Sequence, residues 1–207
     1  MKELSLNILD IAQNSITAEA DLVEILLDET GSTLKLTIKD NGYGMSPEFL
    51  ASVHDPFSTT RTTRKVGMGI PLLKLAAEQT GGWVALRSTQ RSVDPENCGT
   101  EITAFFHKDH LDFTPLGDIV STICTLIQGF PEVDYVFRHS IAADGHAEAG
   151  ESENGTEHES GAVVALDTRE MRIILGDDVP LNDPMVLMWV RDSLEEQYAA
   201  VKTAQLG

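Results

Sequence analysis

Apolar and polar residues alternate along this chain with two different periods, and the switches between them divide it into elements. Residues 3–18 follow the helical period. At 100° per residue, Leu4, Ile8, Leu9, Ile11, Ala12 and Ile16 share one broad arc, while Glu3, Asn7, Asp10, Asn14 and Thr17 share the other. Asp10 and Asn14 are therefore expected side by side, one turn apart. Period-two alternation marks strands at 21–29 and 32–40, joined through Thr30 and Gly31 into a hairpin. Ser46 and Pro47 read as the N-cap and first position of a short helix ending near His54. Residues 54–69, HDPFSTTRTTRKVGMG, have almost no periodicity and predict a long loop, a feature that in compact domains usually serves function. A helix over 70–80 stops at Gly81-Gly82, and two more strands follow at 83–90 and 99–108 around a polar turn containing Pro95.

This order predicts the α+β class: a two-layer α/β sandwich with helices on one face of a mainly antiparallel sheet, occupying residues 1–110. Residues 111–207 predict a small α/β C-terminal extension. It comprises a helix at 115–128, strands at 133–141 and 162–167, a short helix opened by Asp167 and Glu170, and a last helix opened by Asp183-Pro184. Met185, Met188 and Trp189 are expected to pack the extension's core. Residues 142–161 hold several acids and no aliphatic side chain larger than alanine, so a disordered loop is expected there.

Charge narrows the partners. A formal net charge of −18 over 207 residues repels phosphate backbones and anionic headgroups, so neither nucleic acid nor membrane is expected. Cys98 and Cys124 lack metal-ligand spacing, no apolar run is long enough to cross a bilayer, and the N-terminus has no signal pattern; a cytoplasmic protein is expected.

Candidate chemistry collects at a few positions. Asp40 continues the parity of Leu34, Leu36 and Ile38, so its carboxylate should point inward at the strand's end, where it needs a donor. Gly42 and Gly44 follow, leaving the main chain open to a flat ligand. Thr100 has the parity of Ile102, Ala104 and Phe106, placing a hydroxyl on the same face. A ring with an exocyclic amino group, such as adenine, suits that set. Gly67 and Gly69 sit where a helix begins and favour phosphate. Arg61, Arg64 and Lys65 can reach over phosphates, and Ser58, Thr59, Thr60, Thr62 and Thr63 add hydroxyl donors. Asn14 offers a hard oxygen ligand of the kind magnesium takes, and Asp10 is placed to orient or deprotonate a water or hydroxyl. Taken singly, each has a plainer reading: Asp10 and Asn14 as a solvent face, Asp40-Asn41-Gly42 as a hairpin turn, the loop's cations as solvated charges.

In order along the chain, these residues resemble the GHKL family of ATP-binding domains. Asp10 to Asn14 with Ser15 and Ala18 resembles the N box, and DNGYGM, ending at Met45, the first glycine box. HDPFSTTR resembles the phenylalanine box, VGMGI with Met68 and Ile70 the second glycine box, and Gly99-Thr100 the closing threonine motif. One such motif means little; five in order are specific. The resemblance implies a left-handed βαβ sandwich holding ATP between sheet and helices under a lid. It assigns Asn14 to Mg²⁺, Asp40 to the adenine amino group, Gly44 and Thr100 to the adenine pocket, and Gly67 and Gly69 to the phosphates.

Two departures qualify the resemblance. ATP-hydrolysing members usually carry glutamate at the position of Asp10, so slow or absent turnover is implied. No phosphoacceptor hairpin precedes the N box, so a small free-standing domain of the anti-sigma-kinase-like or hydrogenase-associated type is expected. The expected function is Mg-ATP binding by a slow ATPase or a protein kinase acting on an unidentified partner protein, with an ATP-gated interaction switch as the alternative. Homodimer formation, shown by several family members, is left open.

Overall fold

A computed structural model describes residues 3–53, 69–142, 161–176 and 178–205. The elements run α1 (Leu4–Thr17), β1 (Leu22–Glu29), β2 (Thr33–Asp40), α2 (Pro47–Val53), α3 (Gly69–Gln79), β3 (Trp83–Thr89), β4 (Gly99–His107), α4 (Ile119–Gly129), β5 (Asp134–Ala142), β6 (Gly161–Asp167), α5 (Thr168–Leu175) and α6 (Pro184–Gln205). The six strands form one sheet in the order β3-β4-β2-β1-β5-β6. All neighbours are antiparallel except β1 and β5.

Alternation decides the layers. Val23, Ile25 and Leu27 of β1, Leu34, Leu36 and Ile38 of β2, Ile102, Ala104 and Phe106 of β4, and Tyr135 and Phe137 of β5 are all buried on one face. Helices cover that face with Leu4, Ile8, Ile11 and Ala12 of α1, Leu73 and Ala77 of α3, Ile123 and Ile127 of α4, and Val190 and Leu194 of α6. Polar residues dominate the opposite face of the central strands, where Lys35 pairs with Asp28 and Lys39 with Glu24. The result is the two-layer α/β sandwich expected from the pattern.

The strands beyond residue 110 extend the same sheet, and one buried cluster includes residues from both parts of the chain. The start of α1 is tied to the later part as well: Leu4 N–H donates to Pro115 O at 2.9 Å and Ser5 N–H to Leu116 O at 2.8 Å. Across the sheet, the buried His139 of β5 lies 2.8 Å through Nε2 from the Glu29 carboxylate and 2.9 Å through Nδ1 from the Tyr198 hydroxyl of α6. Lys108 Nζ donates to the same carboxylate at 2.6 Å.

Two expectations are corrected. Asn7, assigned to the polar arc of the first helix, is only 2% exposed, because α1 is flanked by both α3 and α4 and its buried arc is correspondingly wide. Met185, Met188 and Trp189 do not pack a core: they are 68%, 51% and 56% exposed. The buried side of α6 is instead formed by Val186, Val190, Leu194 and Val201.

Candidate functional site

Three strands place three polar side chains in one row. Ser88 of β3 pairs with Thr100 of β4, and Thr100 with Asp40 of β2. Each sits at the end of an inward-facing column that is apolar further along, with Leu86, Ile102 and Ile38 forming the adjacent row. The sheet thus carries a polar edge on its covered side. Asp40 is 8% exposed and Thr100 likewise.

The donors that Asp40 needs come from three directions. Oδ1 accepts from Gly42 N–H at 3.0 Å and from Thr100 N–H at 3.2 Å, and Oδ2 accepts from Ser15 Oγ of α1 at 2.7 Å. An ionised carboxylate has about four acceptor positions. Oδ1 is therefore filled, while Oδ2 keeps one lone pair free of these donors. Burial pushes the Asp40 carboxyl above its ordinary value, and the bonds from Ser15, Gly42 and Thr100 offset this only in part.

The segment after β2 is fastened on both sides. Tyr43 N–H donates to Ala18 O at 2.8 Å, Arg91 N–H to Tyr43 O at 2.9 Å, and Met45 N–H to Ser88 Oγ at 2.8 Å. Ser88 Oγ also bonds Gly99 O at 2.8 Å and lies 3.0 Å from Thr100 Oγ1. Asn41 turns away from the row: its Oδ1 accepts from the N–H groups of Asp21 and Leu22, both at 3.0 Å, and its amide donates to the Asp21 carboxylate. Asp40-Asn41-Gly42 is accordingly not a hairpin turn but the exit from β2. Gly44 has φ +70°, and a Cβ there would stand 2.0 Å from Thr89 O, so a side chain is excluded on both counts.

Midway along α1, Asp10 meets α3. A Cβ on Gly69, the first residue of α3, would lie 2.6 Å from Asp10 Oδ2, so the carboxylate abuts the positive end of that helix and any side chain at Gly69 would push it aside. Asn14 is one turn further along α1, half-buried like Asp10. Ile70 follows Gly69 in the first turn of α3. Thr59, Thr60, Arg61, Lys65, Gly67 and Met68, with the rest of the long loop, lie outside the described residues.

Ser88 and the bonding role of Ser15 were missed from sequence, although both left a signal. Ser88 continues the inward parity of Val84 and Leu86, as Asp40 does in its own strand. Ser15 is a hydroxyl in the middle of the apolar arc of α1, a position that calls for a buried acceptor.

Residues 1–110 match the family described as histidine kinase-, DNA gyrase B-, and HSP90-like ATPase, and the chain belongs to that family, whose domain binds ATP. Over 93 residues it is 33% identical to sensor protein SrrB of Staphylococcus aureus (strain NCTC 8325), an overlap of 42% of this chain but 16% of that protein. The chain thus spans a small fraction of this curated relative's length. Among solved structures it is similar to the Aquifex aeolicus MutL ATPase domain complexed with ADP, at 18% identity and TM-score 0.45 over 66% of this chain and 60% of that one. It is also similar to the mycobacterial sensor histidine kinase MprB, at 18% identity and TM-score 0.35 over 49% and 69%. No helix among the described residues is long and apolar enough to cross a membrane.

Proposed function

We propose that this protein binds Mg-ATP between the polar row of β2, β3 and β4 and the helices α1 and α3, and acts as a slow ATPase or as a protein kinase on a partner protein. The single observation that carries the reading is the Asp40 carboxylate, buried among donors yet with one lone pair of Oδ2 to spare. An exocyclic amino group supplies the one missing donor. Gly44 keeps the neighbouring backbone bare, Gly42 donates to Asp40, and Met45 is held in place through Ser88. These residues fit adenine.

The remaining roles follow from position. Gly69 and Ile70 open α3, whose N-terminal N–H groups favour phosphate, and Asn14 offers its amide oxygen to Mg²⁺. Thr59, Thr60, Arg61, Lys65, Gly67 and Met68 are assigned to the nucleotide from sequence. Bound Mg-ATP supplies a transferable γ-phosphoryl group whose charge the metal offsets. Asp10 is the group that takes the proton from the attacking water or hydroxyl. Its carboxylate, however, is short and already drawn to the end of α3, which favours a second reading: a nucleotide-gated interaction switch with little turnover.

Titration calorimetry with MgATP tests the pocket. Asp40→Asn should keep its circular dichroism and an equal or higher Tm, since a buried charge is removed. It should lose roughly 10–100-fold in affinity, the scale of one hydrogen bond to a charged group. Unchanged affinity would refute the adenine assignment. Labelled MgATP then separates the two readings: phosphate release or partner labelling that vanishes in Asp10→Ala and rises in Asp10→Glu marks the enzyme, and tight binding without either marks the switch.

A further inference from the structure

We propose that the solvent-facing stripe of α6 is a docking surface for a cationic amphipathic helix of a partner protein. Met185, Met188 and Trp189 occupy positions i, i+3 and i+4, which form one continuous patch on a helix, and each is more than half exposed. Together they present an apolar area on the order of 300–400 Å², within the range of the largest patch on a typical monomer, which is often functional. The thioethers and the indole also suit a surface that adapts to a partner.

The same stripe changes character one turn further on. Asp192 lies three residues after Trp189 and Glu196 four after Asp192, both exposed, so the ridge is apolar at its amino-terminal half and acidic beyond. No basic residue falls on it. Arg191 lies off the stripe and donates through Nη1 to Ser121 Oγ of α4 at 3.2 Å. The chain's own elements meet α6 from its other side, through Val186, Val190, Leu194 and Val201. Among the described residues, no element covers the stripe.

Charge decides what covers it. A helix with leucine- or methionine-type residues over Met185, Met188 and Trp189, and lysine or arginine over Asp192 and Glu196, satisfies both halves. A second copy of this chain brings another −18 and another pair of acids to the contact, and an anionic lipid surface is repelled by the same carboxylates.

The chain has two tryptophans, so a Trp83→Phe background makes Trp189 the sole reporter. The probes are a synthetic leucine-lysine amphipathic helical peptide, a leucine-glutamate peptide of equal length, and phosphatidylglycerol vesicles, all without nucleotide so that the outcome is independent of the ATP reading. The leucine-lysine peptide should shift Trp189 emission to the blue and saturate, and the other two probes should not. Met188→Asp, and separately Asp192→Lys with Glu196→Lys, should weaken that binding at least tenfold at unchanged Tm, because these residues are exposed. Equal affinity in all variants would mean capture by overall charge and would overturn the proposal. So would an equal response to the vesicles, or a wild-type dimer in sedimentation that Met188→Asp dissociates.

Discussion

Asp40 and Glu29 close the inner and outer ends of one hairpin, and their surroundings act on them in opposite senses. At Asp40, burial outweighs three hydrogen bonds and the carboxyl titrates above its ordinary value. At Glu29, burial also raises the value, but the bonds and charges of His139 and Lys108 outweigh it and hold the carboxyl at about 2, down from 4.5. A depressed folded-state value stabilises the fold fully above pH 4.5, and that contribution disappears as pH falls from there toward 2. Glu29→Gln should therefore lower stability near neutral pH by roughly 2–3 kcal/mol and flatten the acid limb within that window, as read from urea midpoints across a pH series. Asp40 was legible in the sequence because strand parity extends to the last residue of β2. The Glu29 cluster was not. Lys108 and His139 reach the carboxylate from distant parts of the chain and Tyr198 braces His139 from behind, and nothing local signals that meeting.

At the level of elements, hydrophobic period located nearly every helix and strand, since the period reflects which side of each element is covered. It could not say which of two apolar sets wins. In α6, Val186, Val190, Leu194 and Val201 compete with Met185, Met188 and Trp189, and the aliphatic set is the one that meets α4 and β6. Nor does periodicity fix lateral order: that β5 runs parallel beside β1, and that β3, β4 and β2 bring Ser88, Thr100 and Asp40 into one row, depends on pairings remote in sequence. Ser88 is the joint of that row, serving Met45, Gly99 and Thr100 at once. Ser88→Ala leaves the Met45 N–H without its acceptor, which costs about 1–3 kcal/mol where such a group is buried. A lowered urea midpoint together with weaker MgATP binding is expected. Loss of stability with unaltered nucleotide affinity would show that Ser88 supports the sheet alone.

For the whole molecule, the family match and the folded unit do not coincide. Residues 1–110 carry the match, yet α4 covers α1, β5 pairs the length of β1, and Pro115 and Leu116 accept the first N–H groups of α1. A chain cut after residue 110 should lose near-ultraviolet circular dichroism and aggregate through the freed edge of β1, whereas the intact chain unfolds in one transition. A cut chain that melts cooperatively as a monomer would show the later elements to be dispensable.

The sheet order also has a consequence during synthesis. The described elements around the polar row, from α1 through β4, emerge from the ribosome before residues 119–142, so the row can assemble while the long side of β1 still awaits its neighbour. If the proposed nucleotide binds at that stage, it would hold the growing polypeptide together until its missing strand arrives, and the yield of the protein would then follow the cell's ATP supply.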